Sequence, residues 1–352
     1  MVKAMAALEE AFNVSFINTT RREGLQGTDS CDLFTPSSAL VRSKIFAYSI
    51  LIPVALLGNI LTIIVVYTNK NMRNTLDYFI INMAVSNLLI PLVTLPYQIV
   101  KTANNSNVWL MDGTAGEFMC KVLFLLVDVS PVVSIFSLIA MSLEPFRAIV
   151  CRCRNNSYFG PRRRVLIILI IWLTSLTLFS PYFYTFRLEH YKNNTYCVQR
   201  WTPAFDQVKA HRTFTTIVLV LVIIIPFFIL TALYSAILIT LIKCLPLYNP
   251  QSSAARGRRH QTIRNTTIMA FTLVLAFGVC WGPFNAIMIL WAFAWDWKPL
   301  PCPWQLFFLC AQYLTYAYSC LCPSSYFLFF NKYKQGLKRF FLRLLYVTSN
   351  GS

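Results

Sequence analysis

Seven long apolar blocks run through this chain, near 44–67, 77–100, 119–143, 165–186, 213–242, 267–293 and 304–330. A helix needs about 20 predominantly apolar residues to cross the hydrocarbon core of a bilayer. The expected fold is therefore all-α, a seven-transmembrane helix bundle. Composition agrees, because 57% of the 352 residues are hydrophobic and 12% are charged, where a soluble globule carries roughly 25% charged residues. The blocks leave no room for a second domain. They divide the chain into an N-terminal tail (1–43), the bundle (44–330) and a C-terminal segment (331–352).

The tail holds no apolar core of signal-peptide length, so the first span is expected to act as the insertion signal, with the N-terminus outside. Charge supports that orientation, since short cytoplasmic loops carry an excess of Lys and Arg. The inner loops and the C-terminal segment hold 18 of the 31 basic residues, opposed only by Asp77 and Glu144. The formal charge of +18 is thus largely a property of the inner face. There it sets topology and attracts anionic lipid, at about 1 kcal/mol per residue near the surface, and it calls for no nucleic-acid partner. Arg162, Arg163 and Arg164, with Arg256, Arg258 and Arg259, also offer a surface to a cytoplasmic partner.

Eleven cysteines, odd in number and scattered across compartments, are no disulfide framework. Cys31, Cys120, Cys197 and Cys302 fall outside, where bridges persist; Cys151, Cys153 and Cys244 fall inside, where they do not. Asn13, Asn18, Asn104 and Asn193 begin outer sequons and are expected to carry glycans, while Asn155 and Asn265 fall inside and stay bare.

Seven spans would also suit a transporter or an intramembrane enzyme. A transporter is expected to show internal repeats and Gly/Pro-interrupted short spans, and the sequence has no repeat and only 11 glycines. Catalysis needs a base or metal cluster at membrane depth, yet His190, His211 and His260 all sit in loops or at helix ends. The chain is read as a non-enzyme without cofactor or metal.

Each span carries one landmark instead. Gly58-Asn59 marks the first, Asn82 to Asn87 with Pro96 the second, and Cys120 the start of the third, which ends in Ser142-Leu143-Glu144-Pro145-Phe146. Trp172 marks the fourth, and Pro226 with Tyr234 the fifth. Phe277, Cys280, Trp281 and Pro283 spell Phe-x-x-x-Cys-Trp-x-Pro in the sixth, and Cys322-Pro323-Ser324-Ser325-Tyr326 closes the seventh. Residues 330–341 then read as a short helix with basic and aromatic faces, as an amphipathic eighth helix on the inner membrane surface would. Taken in order, these landmarks resemble the rhodopsin-like G-protein-coupled receptors over about residues 44–345. Leu95-Pro96-Tyr97-Gln98, the stretch Gly116 to Lys121 and the stretch Tyr196 to Trp201 are similar to the neuropeptide members of that family, of galanin, orexin and neuropeptide Y type.

The resemblance implies a multi-pass plasma-membrane receptor that binds an extracellular peptide and signals through a heterotrimeric G protein. It implies a bridge from Cys120 to Cys197; a second bridge from Cys31 to Cys302 is suggested by the two outer cysteines left over. Val127 stands where amine receptors have an Asp, and Tyr316 where opsins have the retinal lysine, so neither a monoamine nor light is expected. Gln98, Asp128, Asn285, Gln312, Tyr313 and Tyr316 are expected to line the pocket, with Trp281 at its floor. An ionisable residue inside a span is costly and functional by default, so Asp128 either meets a cation of the ligand or makes a structural pair with the backbone of helix 4 or 5. Glu117 and Arg200 add charge at the rim.

The switch positions depart from the family. Pro145 replaces the Arg that pairs with its acidic neighbour, and a proline there is expected to kink helix 3 or end it early. Glu144 is then expected to pair with Arg147, one turn on. Tyr234, Pro323 and Tyr326 persist. Two functions stay open, a G-protein-coupled receptor and a receptor-fold protein that captures a peptide without signalling. Asn87 replaces the family's sodium-binding Asp, and Cys322 replaces the helix 7 Asn, with Ser134 retained. Neutral oxygens alone do not offset the desolvation of a buried cation, so titrating sodium against a potassium control is expected to leave agonist affinity unchanged.

Overall fold

The computed structural model describes residues 38–69, 72, 74–104, 106–151, 160–191, 193–244, 254–295, 297 and 300–350. Cys31, Cys153 and the sequons at Asn13, Asn18 and Asn155 lie outside these residues, and with Cys31 so does the suggested second bridge.

The helices are α1 (Ser38–Thr68), α2 (Thr75–Asn87 continued by Leu95–Ala103), α3 (Gly113–Ile149) and α4 (Pro161–Leu178, with a last turn Tyr182–Thr185). A hairpin of β1 (Phe186–Tyr191) and β2 (Asn194–Gln199) follows. Then come α5 (Gln207–Leu219 continued by Ile225–Cys244), α6 (Ala254–Phe293), α7 (Cys302–Phe329) and α8 (Asn331–Asn350). Six helices among the described residues are long and apolar enough to cross a membrane. The seventh long helix, α7, has 28 residues and carries Gln312, Thr315, Ser319 and four tyrosines, which lower its apolarity. The hairpin is the one departure from an all-helical reading among the described residues.

Helices outrun the apolar blocks. α1 begins at Ser38, α6 at Ala254, and α3 continues to Ile149, because an apolar block marks the lipid crossing while the backbone ladder needs no lipid to continue. Pro145 does not end α3. Proline removes one donor, but its fixed φ is helical, and bonding resumes beyond it, with the Val150 N–H donating to the Phe146 carbonyl at 2.8 Å.

In α2 and α5 a π turn precedes proline at the same offset. Ile90–Thr94 leads to Leu95-Pro96, and Val220–Ile224 leads to Ile225-Pro226. The Leu95 and Ile225 N–H groups reach back five residues, to the Ile90 and Val220 carbonyls. The extra residue eases the clash of each proline ring with the carbonyl four residues back. In α2 the irregularity thus sits just before Pro96.

α3 is the central post, packed against α2, α4, α5 and α6. Its apolar window is 78% buried, against 22% for α4, so α4 turns most of its surface to lipid. α1 meets α7 closely at Gly58, where an added Cβ would lie 2.7 and 2.9 Å from the Pro323 ring, and next to it Asn59 Nδ2 donates to the Ser319 carbonyl at 2.9 Å. Gly58→Val is expected to cost about 1–3 kcal/mol of stability through overpacking. This would read as a lower melting temperature of the solubilised protein. Gly282→Ala, with nothing near its added Cβ, should not lower the melt.

Candidate functional site

At the outer end, Cys120 and Cys197 are bridged, with their Cα atoms 5.7 Å apart. Cys197 pairs with Leu188 across the hairpin, so the bridge holds the sheet against the top of α3. A second support comes from Trp109 before α3. Its N–H donates to the Thr195 carbonyl at 2.7 Å and its indole Nε1 to the Gly116 carbonyl at 3.2 Å. Asp112, Thr195 and His190 continue this seam. Thr195 donates to Asp112, and His190 Nδ1 lies 3.0 Å from the Thr195 hydroxyl. The rim charges read from sequence are both paired: Glu117 with Lys121 at 2.6 Å, and Arg200 with Glu189 at 3.1 Å. Both pairs are solvated, where such contacts are worth little.

Below the hairpin, the structure brings three of the expected pocket residues together. Gln98 of α2 and Gln312 of α7 both donate through Nε2 to the Tyr316 hydroxyl, at 3.0 and 2.9 Å, and all three are buried. Tyr48 of α1, which sequence reasoning missed, adds an aromatic wall. Its ring stacks on Tyr313 at 6.3 Å and meets Tyr316 edge-on at 5.9 Å. An aromatic residue in a first apolar block looks like ordinary packing, so nothing in the sequence could have singled it out.

Trp281 and Asn285 form a second group on α6. Asn285 Nδ2 donates to the Trp281 carbonyl at 2.6 Å. The Asn285 Oδ1 and the Trp281 Nε1 are buried and have no hydrogen-bond partner among the described residues. Such groups cost about 1–3 kcal/mol each if left unmet. One is an acceptor and the other a donor, about one turn apart.

Asp128 stands apart from both groups. It is fully buried and accepts a 2.6 Å hydrogen bond from the Tyr182 hydroxyl, in the last turn of α4. The Tyr182 ring is enclosed by Phe179, Phe186 and Phe214, at 5.0, 5.6 and 5.8 Å.

The switch positions gather toward the inner half. Asn87 Oδ1 accepts from Ser134 at 3.3 Å, and Ser134 also meets Ser86 at 3.4 Å. Tyr234 lies 2.9 Å from the Ser142 hydroxyl and edge-on to Phe271, so it keeps a tie to α3 where the family's Arg is replaced. Glu144 accepts a hydrogen bond from Thr75 of α2, and its charged neighbours are Arg164, Asp77 and Lys332. The carboxylate turns across to Thr75 of α2 and Arg164 of α4.

Asp77 is the inner anchor. Its buried carboxylate receives Lys332 at 2.6 Å through each oxygen and the Tyr333 hydroxyl at 3.0 Å. It also caps α2 by accepting from the Asn74 N–H at 3.1 Å. Burial, and then the Asp77 carboxylate, push the Tyr333 phenol well above the ordinary tyrosine range, so it stays a donor. Tyr326 stacks on Tyr333 at 5.5 Å, which links the end of α7 to α2 through α8. Asp77 entered the sequence reading only as a loop charge, because its partners lie about 255 residues away.

Residues 58–326 match the family described as 7 transmembrane receptor (rhodopsin family). A QRFP-like peptide receptor of Branchiostoma floridae is 28% identical over 69% of this chain, and galanin receptor type 1 of Rattus norvegicus is 28% identical over 84% of it and 80% of its own length. Neuropeptide Y receptor type 6 of Mus musculus is 26% identical over 85% of the chain and 79% of its own length. The matched part spans 63% of the Branchiostoma receptor, and 57% of a Mus musculus pyroglutamylated RF-amide peptide receptor. With the landmarks in order on the helices and the match running from Gly58 to Tyr326, this multi-pass membrane protein belongs to the rhodopsin family of seven-transmembrane receptors.

Proposed function

We infer that the chain is a plasma-membrane receptor, N-terminus outside, for an extracellular peptide, and that its pocket reads an uncharged amide of that peptide. The observation that carries this is the orphan pair on α6, the Trp281 donor and the Asn285 acceptor. An amide supplies both an acceptor and a donor. An ammonium cannot accept, and an ionised carboxylate cannot donate. The Gln98–Tyr316–Gln312 cluster is likewise neutral, and Tyr313 and Tyr48 give aromatic surface for an apolar side chain. Relatives named for RF-amide, galanin and neuropeptide Y peptides support a peptide as the ligand class.

Coupling to a heterotrimeric G protein is the reading favoured by the family. Pro145 in place of the Arg keeps the second reading alive, a receptor-fold protein that captures peptide without signalling. Cells expressing the chain with promiscuous G proteins are challenged with an RF-amide, galanin and neuropeptide Y panel, each in amide and free-acid form, beside the Pro145→Arg variant. Activation of the wild type is expected, with the amide forms preferred; activation of the variant alone would favour capture. Tyr316→Phe removes an acceptor shared by two buried glutamines and is expected to weaken binding of the active peptide roughly ten-fold. Unchanged binding would remove that cluster from the site.

A further inference from the structure

Cys120, Phe124 and Asp128 follow one another at intervals of four residues, so they lie on one face of α3. Eight residues of helix span about 12 Å. Each of the three grips the chain between Tyr182 and Cys197. Cys120 is bridged to Cys197, the Phe124 ring stacks on Phe186 at 4.5 Å and 12°, and Asp128 accepts from Tyr182 at 2.6 Å. Tyr182 and Phe186 bracket the passage from the last turn of α4 into β1, and their rings meet at 5.6 Å.

We propose that Asp128 is a positioning residue: with Tyr182 it forms the lowest of three rungs that fasten the α4–β1 corner to α3 and fix the seat of the hairpin over the ligand site. This rests on the reading of the outer end as a peptide site. Asp128 is 0% exposed, so a ligand cation cannot reach it in this state, and the short phenol–carboxylate bond has the geometry of a charge-assisted pair. The disulfide alone leaves the hairpin free to pivot about one point. A stack and a hydrogen bond further down α3 remove that freedom, because the three attachments spread along the helix. The same rungs close the α3 side of the pocket, which leaves ligand chemistry to α1, α2, α6 and α7.

The test uses the full chain at the cell surface, with Tyr182→Phe, Asp128→Asn and the double variant. The first readout needs no ligand and is the rate at which a membrane-impermeant reductant opens the Cys120–Cys197 bridge. Losing the rung frees the hairpin, so each single variant is expected to speed reduction roughly ten-fold, and the double variant no further than the faster single. If Asp128→Asn does not reach the surface, Tyr182→Phe decides alone, since it deletes only one oxygen. Reduction at the wild-type rate in that variant overturns the proposal.

The second readout is the affinity of a labelled Arg-Phe-amide peptide and of its citrulline analogue, which lacks the charge. A positioning role weakens both by the same factor. A loss confined to the cationic peptide makes Asp128 a ligand counter-ion and overturns the proposal. A wild type that binds no peptide of the panel counts against the peptide site, and the reduction rate still decides the rung.

Discussion

Hydrocarbon offers a peptide N–H no water to bond to, and an unpaired backbone group there costs several kcal/mol. Every span therefore has to close its own ladder, and each proline inside a span has to be accommodated. Pro96 and Pro226 are handled by a π turn placed just ahead of them. Pro131, Pro145, Pro283 and Pro323 are carried inside continuous helices. The chain loses single bonds at these sites without losing a helix, which explains why α3 passes through Pro145 to Ile149.

With the helices formed, lipid gives them no hydrophobic reason to associate, so packing and interhelical hydrogen bonds have to hold the bundle. Buried polar residues supply those bonds. Asn59 of α1 bonds the α7 backbone at Ser319. Asn82 of α2 donates to Ser137 of α3 at 2.9 Å and accepts from Trp172 of α4 at 2.8 Å, so one side chain joins three helices. α3 takes part repeatedly, through Asp128, Ser134, Ser137, Ser142 and Glu144.

Much of this was legible in the sequence, because the landmarks are local: apolar blocks, Asn82, Trp172, the Phe-x-x-x-Cys-Trp-x-Pro string. Gln98, Gln312 and Tyr316 could be placed by their helices alone, and they meet. Tyr182 could not, since a tyrosine at the end of an apolar block carries no sign of a partner 54 residues earlier. The hairpin leaves no such mark, because its strands of six residues fall below the length of a membrane-crossing block. Helical spacing pointed Glu144 at Arg147. The fold also brings Thr75 and Arg164 beside it from other helices, which spacing along α3 does not show.

The inner end shows what the missing Arg leaves behind. Both inner acids are held around the start of α2, Asp77 by α8 and Glu144 by Thr75. Tyr78 adds to that hub by seating the Arg164 guanidinium 4.4 Å from its ring centroid. These ties join α2, α3, α4 and α8. α6 meets its neighbours through rings: Phe271 with Tyr234, Phe277 with Tyr318 at 5.4 Å, and Phe284 and Trp291 with Phe308 at 5.9 and 6.0 Å. Ring contacts are individually worth about 0.5–1.5 kcal/mol beyond their buried area, and they slide more readily than an ion pair breaks. Among the described residues, the inner acids thus tie α2 to α3, α4 and α8, while rings tie α6 to α5 and α7.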